Sequence, residues 1–431
     1  MNTTLALLGG QPAIQRTFER YNPIGADEVA AAKTVIESGV LSQFIGAWHE
    51  DFFGGPKVRE FEQKSAEYFG VKHAITVNSW TSGLIAAIGA LDIEPGDEVI
   101  VPPWTMCASA TAILHWNAIP VFADIDPATY CLDPASVEAN ITPNTRAIMA
   151  VDIFGQSADM TALSAIARRH GLKIISDTAQ ARGARVGQHY AGTLADIGGY
   201  SLNYHKHIHT GEGGILVTND DRLAQRLQLI RNHAEAVVGP KGVTNIANMV
   251  GYNFRLGEIE CAIGISQLNK LSGLVSRRQE IAAQLDRGLA GLKGLRTPVV
   301  RTDCTHVYYV YPLDVDVQSL GVSRARLVDA LRAEGLSGIG AGYQNVHLLP
   351  MFQQKIAYGS RGFPWTSDIC RREVSYQKGI CPVAERLHDE TYVGFAMCLH
   401  ELTNDDVSLI IEAFHKVWDH LDALRDAQTR I

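Results

Sequence analysis

The stretch richest in reactive side chains is SLNYHKHIHTGEGG, residues 201–214. It places His205, Lys206, His207 and His209 within five consecutive positions. In a strand the three histidines would point to one face, where imidazoles can bind a metal ion. Alternatively, the lysine does the chemistry, because an unprotonated lysine amine attacks carbonyl carbons. The stretch by itself is compatible with either chemistry.

The metal alternative needs further ligands, and few are at hand. Asp152 and Asp196 could supply carboxylates, but the histidines outside this stretch are scattered singly along the chain. Metal sites normally combine several ligands with neighbouring groups that hydrogen bond to those ligands and orient them. The seven cysteines show no CxxC spacing, which gives no support to zinc ribbons or iron–sulfur clusters. We therefore expect no metal site.

The lysine alternative gains support from three upstream stretches. A lysine that works with pyridoxal phosphate needs a carboxylate for the pyridine nitrogen, donors for the phosphate and a bulky group over the ring. NSWTSGL (78–84) offers hydroxyls at the start of a helix. SDTAQARG (176–183) offers Asp177 at a strand end, and PPWTM (102–106) offers bulk.

The elements that must position these stretches alternate between strands and helices from about residue 57 to 220. The expected strands are 73–77, 98–102, 119–125, 146–154, 173–177 and 213–219, with helices such as 160–171 between several of them. This alternation is typical of a mostly parallel sheet with helices on both faces. Sites in such α/β sheets lie beyond the carboxyl ends of the strands. Residues 78–82, 103–106, 177–180 and 201–214 should therefore share one neighbourhood.

The pattern changes after Gly251. We expect a long helix from about Leu256 to Leu289 that is broken near Ser272. Further expected elements are a strand at 307–315, a helix at 324–335 and a final helix from Asp405, where Thr403 and Asp406 have capping-box spacing. The predicted organisation is an N-terminal arm (1–30), a large domain (31–270) and a smaller C-terminal α+β domain (271–431).

Composition excludes several classes of protein. A chain of 431 residues is long for one core, and 46% hydrophobic residues are usual for a globular protein. The formal net charge of −8 argues against a nucleic-acid binder. We expect neither a membrane span nor a signal peptide, and cysteines that stay free in a reducing compartment, which together predict a cytoplasmic protein.

A set of motifs in fixed order resembles one family over nearly the whole chain. The motifs are SGVLSQ (38–43), GPKVREFE (55–62), VNSWTSGL (77–84), PGDEVIVPPWT (95–105), DIDPATYCLDP (124–134), SDTAQARGA (176–184), residues 201–214, GYNFRLGEIECAIG (251–264) and CPVAERL (381–387). Together they resemble the pyridoxal-phosphate-dependent sugar aminotransferases of the DegT/DnrJ/StrS type. The resemblance implies an α/β protein of aspartate aminotransferase fold type I, with a large domain whose mostly parallel sheet is sandwiched by helices.

The resemblance also implies roles for individual residues. Lys206 would form the internal aldimine and then act as general base and acid. Asp177 would pair with the pyridinium nitrogen, and Gln180 would approach the oxygen on the cofactor ring. The phosphate would be bound by Trp80 through its backbone N–H, by Thr81 and by the Ser201 hydroxyl.

Further implied roles concern the ring face, the partner subunit and the substrate. Relatives place an aromatic side chain over the ring where this chain has Met106, with Trp104 as the alternative cover. Asn253 would reach the phosphate of a neighbouring subunit, which makes the protein a homodimer with sites at the interface. Ser42, Tyr343 and His347 fall where relatives have residues on the substrate side.

The implied activity is a ping-pong transfer of an amino group from L-glutamate or L-glutamine to a keto-sugar, first of all a nucleotide-linked one. A cyclitol ketone of the scyllo-inosose type, as in aminocyclitol antibiotic pathways, is the alternative acceptor. The competing hypotheses are a dehydratase that uses the same cofactor, a non-catalytic regulator that binds it and a metal hydrolase. Relatives that dehydrate carry histidine in place of the lysine, so Lys206 favours amino transfer.

Overall fold

The computed structural model describes residues 4–428. Its helices, in chain order, are α1 (Ala26–Ser38), α2 (Pro56–Phe69), α3 (Trp80–Ala90), α4 (Ala108–His115), α5 (Pro134–Asn140), α6 (Met160–His170), α7 (Asp221–Arg231), α8 (Ala234–Lys241), α9 (Glu258–Leu289), α10 (Val317–Leu320), α11 (Arg324–Ala333), α12 (Pro350–Gln354), α13 (Pro382–Arg386), α14 (Asn404–Trp418) and α15 (Leu421–Gln428). No helix within residues 4–428 combines the length and the apolar run needed to cross a lipid bilayer.

The strands form one large sheet, one small sheet and two short pairs. In chain order they are β1 (Glu19–Arg20), β2 (His73–Val77), β3 (Glu98–Val101), β4 (Ile119–Phe122), β5 (Thr145–Val151), β6 (Lys173–Asp177), β7 (Arg185–Val186), β8 (His189–Tyr190), β9 (Ile197–Ser201), β10 (Gly214–Thr218), β11 (Leu295–Arg296), β12 (Tyr311–Val315), β13 (Ile339–Ala341), β14 (Tyr392–Phe395) and β15 (His400–Glu401).

The large sheet has seven strands in the order β2-β10-β9-β6-β5-β3-β4. Only β10 runs antiparallel to its neighbours β2 and β9, and the remaining pairs are parallel. The predicted mostly parallel sheet is therefore confirmed. The strand β9 was not predicted, because its sequence IGGYS carries two glycines that disfavour a strand.

The helix α9 connects the two parts of the chain without interruption. The predicted break near Ser272 is wrong, because a single helix runs from Glu258 to Leu289. Its first half packs in one apolar cluster with α2 residues such as Phe61. Its second half, including Leu285, packs in the cluster of the C-terminal domain. Burial along both halves outweighs the weak helix propensity of the Ser-Gly pair.

The C-terminal part of the chain contains the four-stranded antiparallel sheet β11-β12-β14-β13. Its core also takes in α11 and α14, and α14 begins with the predicted capping box of Thr403 and Asp406. The N-terminal arm packs here as well. Phe18 lies in this core, and β1 pairs with β15.

A segment of the C-terminal part docks against the large domain instead. Phe352 and Tyr376 belong to the same apolar cluster as the parallel strands. The Tyr376 hydroxyl donates to the Pro120 carbonyl at 2.8 Å, and Arg372 pairs with Glu98 at 2.6 Å. The cluster therefore joins residues on both sides of α9.

Candidate active site

The carboxyl ends of β2, β3, β6 and β9 lie along one edge of the large sheet. Strand β2 leads into the start of α3, β3 into residues 102–106, β6 ends at Asp177, and β9 ends at Ser201. The parallel strand order brings these ends together, as the sequence pattern predicted. The candidate site is built on this edge.

The histidine-rich stretch follows β9 as a loop and not as a strand. The expectation that three imidazoles share one face does not hold. His207 is buried and donates through Nε2 to the Val307 carbonyl at 2.8 Å, while the Nδ1 of His209 accepts from the Gly211 N–H at 3.3 Å. Within residues 4–428 no group of three or more His, Cys, Asp or Glu side chains is arranged to hold a metal ion. The metal alternative therefore lacks a ligand set.

The Lys206 amine lies over the face of an aromatic ring. Its Nζ is 4.4 Å from the ring centroid of Tyr309, and among the described residues it has no hydrogen-bond or ion-pair partner. Burial lowers the pKa of Lys206 from its ordinary 10.5 to about 8, and the nearby Asp177 carboxylate partly opposes this shift. At pH 7 about a tenth of the amine is thus unprotonated, against less than about a thousandth at the ordinary pKa, and the unprotonated form is the nucleophilic one.

Tyr309 is a site residue that the sequence did not reveal. It lies in the aromatic run VYYVY, which the alternation pattern assigns simply to a strand of the small domain. The residue precedes the observed strand β12 and brings its ring from the small domain to the lysine. No spacing rule in the sequence distinguishes this tyrosine from its neighbours.

The Asp177 carboxylate is held on both oxygens. Only 4% of the residue is exposed. Its Oδ1 accepts from the Trp80 indole N–H at 2.7 Å and from the Ala179 backbone N–H at 3.2 Å. Its Oδ2 accepts from the Ser109 hydroxyl at 2.7 Å. Ser109, which the sequence did not single out, lies in the first turn of α4, and its hydroxyl is 2.6 Å from that of Thr105.

The start of α3 offers donors suited to a phosphate. Ser79 is the N-cap, and its Oγ accepts from the Ser82 N–H at 3.0 Å. The first N–H groups of a helix have no partner inside the helix, so those of Trp80 and Thr81 are available to an anion. Thr81 is exposed, and Ser201 ends the neighbouring strand β9. These groups fit the role that the sequence assigned to them.

The two candidates for covering a ring differ sharply in exposure. Trp104 is fully buried, and its indole N–H donates to Asn345 Oδ1 at 3.0 Å. Its ring stacks on Tyr130 with centroids 5.8 Å apart. Met106 is 61% exposed, and its Sδ accepts from the Ala108 N–H at 3.2 Å. Of the two side chains, only Met106 presents a free surface.

Three further polar candidates, Gln180 after β6 and Tyr343 and His347 in the C-terminal part, form two groups. Gln180 accepts from the Phe154 N–H at 2.8 Å and also hydrogen bonds Tyr343, whose pKa is raised by burial. These residues lie beside Asp177. His347 is fully buried and bonds Glu385 at 2.9 Å between Nε2 and Oε1. The ring of His347 also packs against Phe122, and its predicted role on the substrate side stays a prediction.

Ser42 and Asn253 lie on the surface. Ser42 is exposed in the loop after α1. Asn253 is exposed, its Oδ1 accepts from Arg255 Nε at 2.8 Å, and its carbonyl accepts from Asn78 Nδ2 at 3.2 Å. Asn78 directly precedes the N-cap of α3, so Asn253 adjoins the phosphate end of the site from outside.

The donor set as a whole fits pyridoxal phosphate. A buried amine, a carboxylate with both oxygens held, and a helix start with hydroxyls lie on one edge of the sheet. These are the three kinds of group that the aldehyde, the ring nitrogen and the phosphate of that cofactor require.

Comparison with known proteins assigns the chain to a class. Residues 42–409 match the model of the DegT/DnrJ/EryC1/StrS aminotransferase family, and the chain belongs to this family. It is therefore an aminotransferase. The solved aminotransferase of Psychrobacter cryohalolentis superposes with a TM-score of 0.80 at 28% identity, over 94% of this chain and all of that one. The fold is that of the type I transferases, as the resemblance implied.

Two curated relatives differ in how much of the chain they match. A putative L-glutamine:3-amino-2,3-dideoxy-scyllo-inosose aminotransferase of Streptomyces kanamyceticus is 34% identical over 439 aligned positions, which span 99% of this chain and 100% of that protein. The GDP-perosamine synthase of Caulobacter vibrioides is 38% identical over 299 positions, which span 69% of this chain and 79% of that protein. The two relatives have similar sequence identity to this chain, but the S. kanamyceticus protein matches a larger share of it.

Proposed function

We propose that this protein uses pyridoxal phosphate to transfer an amino group from L-glutamine or L-glutamate to a cyclic polyhydroxylated ketone. The observation that carries the proposal is the pairing on one sheet edge of the enclosed Lys206 amine with the held Asp177 carboxylate. In the net reaction the donor's amino group and the acceptor's carbonyl oxygen exchange places. No external oxidant or reductant is needed.

The chain's own residues divide the work. Lys206 Nζ would remove a proton from the carbon that bears the amino group and deliver it later on the same face, because its lowered pKa lets it both take and give a proton near neutral pH. Asp177 would balance the positive charge of the ring nitrogen. The α3 start and Ser201 would bind the phosphate, and Met106 would cover the ring. When bound, pyridoxal phosphate supplies an electron-accepting ring that stabilises carbanion charge.

A carbocyclic ketone of the scyllo-inosose type is the acceptor that the comparisons favour. The match with the S. kanamyceticus protein runs from end to end, and it includes the docked segment with Phe352 and Tyr376. The nucleotide-linked keto-sugar expected first from the sequence is the second candidate, favoured by the higher identity to GDP-perosamine synthase over a shorter stretch. Both candidates are polyols that carry one ketone.

A second copy of the chain would complete the site. The loop 40–48 and the segment 246–250 expose apolar side chains, namely Val40, Leu41, Ile45, Trp48, Ile246 and Val250. Both stretches approach His233, since Gly46 and Gly251 lie against that residue, and Asn253 follows directly. An apolar patch of this kind marks an interface. We expect a homodimer in which Asn253 reaches the neighbouring phosphate.

The test begins with the purified protein and added pyridoxal phosphate. Borohydride reduction followed by peptide mass mapping should locate a covalent label on Lys206. L-glutamine or L-glutamate should then change the cofactor's absorbance and release a 2-oxo acid. Scyllo-inosose, its 3-amino-2,3-dideoxy derivative and a nucleotide-linked keto-sugar should next be offered in parallel. Amine product in equal amount to consumed donor would support the proposal.

Each competing hypothesis predicts a different result in the same experiment. Binding of the cofactor without reaction with either donor would point to a regulator. Product formation without consumption of the donor would point to a dehydratase. Full activity of a protein that sediments as a monomer would contradict the shared site. Amination of the nucleotide-linked sugar alone would replace the cyclitol by the second candidate.

A further inference from the structure

The indole of Trp80 reaches from the phosphate end of the candidate site to its carboxylate end. Its backbone N–H lies in the first turn of α3, where an anion would bind. Its indole N–H donates to Asp177 Oδ1 at 2.7 Å, between residues 97 positions apart in the chain. One residue thus connects the two groups that would hold opposite ends of the cofactor.

The sheet is shaped to accept this indole. A Cβ atom added at Gly199 would lie 2.3 Å from the Trp80 ring, and one at Gly83 would lie 2.8 Å from it. A Cβ atom at Gly214 would lie 3.0 Å from the Trp80 backbone. Real Cβ atoms do not approach a ring as closely as 2.3 or 2.8 Å, so the absence of side chains at Gly199 and Gly83 leaves the space that the indole fills. Of the two glycines of β9 that hid this strand from prediction, Gly199 borders this space, whereas a Cβ atom at Gly198 would meet the Gly192 backbone.

Ser109 holds the other oxygen of the carboxylate. Its hydroxyl donates to Asp177 Oδ2 at 2.7 Å and lies 2.6 Å from the Thr105 hydroxyl. A carboxylate offers about four acceptor positions, so these contacts leave room for a further donor from a ligand. Donors on both oxygens fix the plane of the carboxylate, which a single contact would leave free to rotate.

We propose that Trp80 and Ser109 are positioning residues that clamp the Asp177 carboxylate. They would hold it in the plane required by the ring nitrogen of pyridoxal phosphate, so this inference rests on the proposed function. Trp80 acts through its side chain, in addition to the phosphate contact assigned to its backbone. The clamp acts through Asp177 and touches no reacting atom. It converts a strand-end aspartate into an acceptor with a set direction.

The decisive variant is Trp80→Phe, which keeps an aromatic ring and the backbone N–H but removes the indole donor. The matched control is Trp116→Phe, because the Trp116 indole N–H donates at 2.7 Å to the Ile85 carbonyl and not to the site. Both residues are buried in the same core. Ser109→Ala tests the second oxygen separately.

The first readout is made on the protein without cofactor. With indole nitrogens labelled by 15N, the signal lost in Trp80→Phe should move in Asp177→Asn, while the signal lost in Trp116→Phe should not. The second readout is the half-reaction of the loaded protein with the amino donor. It should slow about 10- to 100-fold in Trp80→Phe, with little change in the donor's KM, and by less than about twofold in Trp116→Phe.

Two results would overturn the clamp. One is a Trp80 indole signal whose chemical shift does not change in Asp177→Asn, and the other is an equal half-reaction rate in Trp80→Phe and Trp116→Phe. A fall in rate for Ser109→Ala at an unchanged melting temperature would support it even if Trp80→Phe folded poorly. Failure of the wild-type protein to take up pyridoxal phosphate would instead overturn the proposed function. The spectra of the cofactor-free protein separate the two failures.

Discussion

The two charged groups of the candidate site are held in opposite ways. Asp177 ends a central parallel strand and accepts hydrogen bonds on both oxygens from side chains of other elements. Lys206 lies in an irregular loop between two antiparallel strands, and its amine rests on the Tyr309 ring. The carboxylate is anchored by direct contacts, whereas the amine is enclosed without a polar partner among the described residues.

This difference matches what the proposed function requires of each group. A fixed acceptor serves a stationary charge, so contacts that restrict it are an advantage. A group that takes and returns a proton must change both its charge and its position, and strong contacts to one charge state would oppose that change. The candidate site thus has a rigid half, the Asp177 carboxylate, and an adaptable half, the Lys206 amine. Each can be altered separately by mutation.

Removing the adaptable half should have the largest effect. We expect Lys206→Ala to fold and to bind pyridoxal phosphate through the α3 start and Asp177, but to lose turnover by at least about 10³-fold. Cofactor uptake measured by dialysis and activity measured by amine formation separate the two properties. Multiple turnovers at a wild-type rate would contradict the role of the amine.

Neutralising the rigid half should have the next largest effect. Asp177→Asn keeps the shape of the side chain and its acceptor oxygen for Trp80, but it removes the charge that would balance the ring nitrogen of the bound cofactor. We expect the half-reaction with the amino donor to slow by roughly 10²-fold or more while the melting temperature changes little. Rapid-mixing absorbance measurements give the rate. An unchanged rate would show that the carboxylate serves only the fold.

Burial of the amine should also appear in the stability of the cofactor-free protein. The pKa of Lys206 falls from 10.5 in the unfolded chain to about 8 in the folded one, so the unfolded state binds the proton more tightly between these values. This destabilises the folded state fully below pH 8 and not at all above about pH 10.5. Lys206→Met should therefore be more stable by about 3 kcal/mol at pH 7, with the pH-dependent gain disappearing as the pH rises to 10.5.

Urea denaturation at fixed protein concentration measures this difference at several pH values. Lys33→Met is the control, because that lysine is exposed on α1 and its charge stays in water. A stability difference between wild type and Lys206→Met that is the same at pH 7 and pH 10.5 would mean that the amine is not buried as the structure shows.

The parts that the sequence predicted well are those that local patterns determine. Apolar runs located six strands of the large sheet, and the capping pair Thr403 and Asp406 located the start of α14. The site edge followed from the rule for parallel strands, while the chemistry that the motif resemblance implies for Lys206 and Asp177 stays a prediction. These inferences need only the spacing of residues near one another in the chain.

The parts that were missed depend on contacts between distant residues. The role of the Trp80 side chain and the strand β9 were missed for the same reason. Gly199 disfavours a strand locally, but its lack of a side chain makes room for the Trp80 indole from α3. Tyr309 contacts Lys206 although about a hundred residues separate the two in the chain. The histidine alternation was misleading because nothing local shows that the stretch is a loop. Tertiary packing overrides propensity in each case.

The smallest effect should come from the ring beneath the amine. An aromatic face favours the charged form of a lysine by about 0.5–2 kcal/mol, so Tyr309→Leu should lower the pKa of Lys206 by several tenths of a pH unit or more. The unprotonated amine is the reactive form, so cofactor uptake should become faster as the pH rises through about 8. We expect this midpoint to fall in Tyr309→Leu and to stay in place in Tyr309→Phe, which keeps the ring and loses only the hydroxyl. Identical midpoints in the two variants would show that enclosure alone tunes the amine, and the adaptable half would then need no aromatic partner.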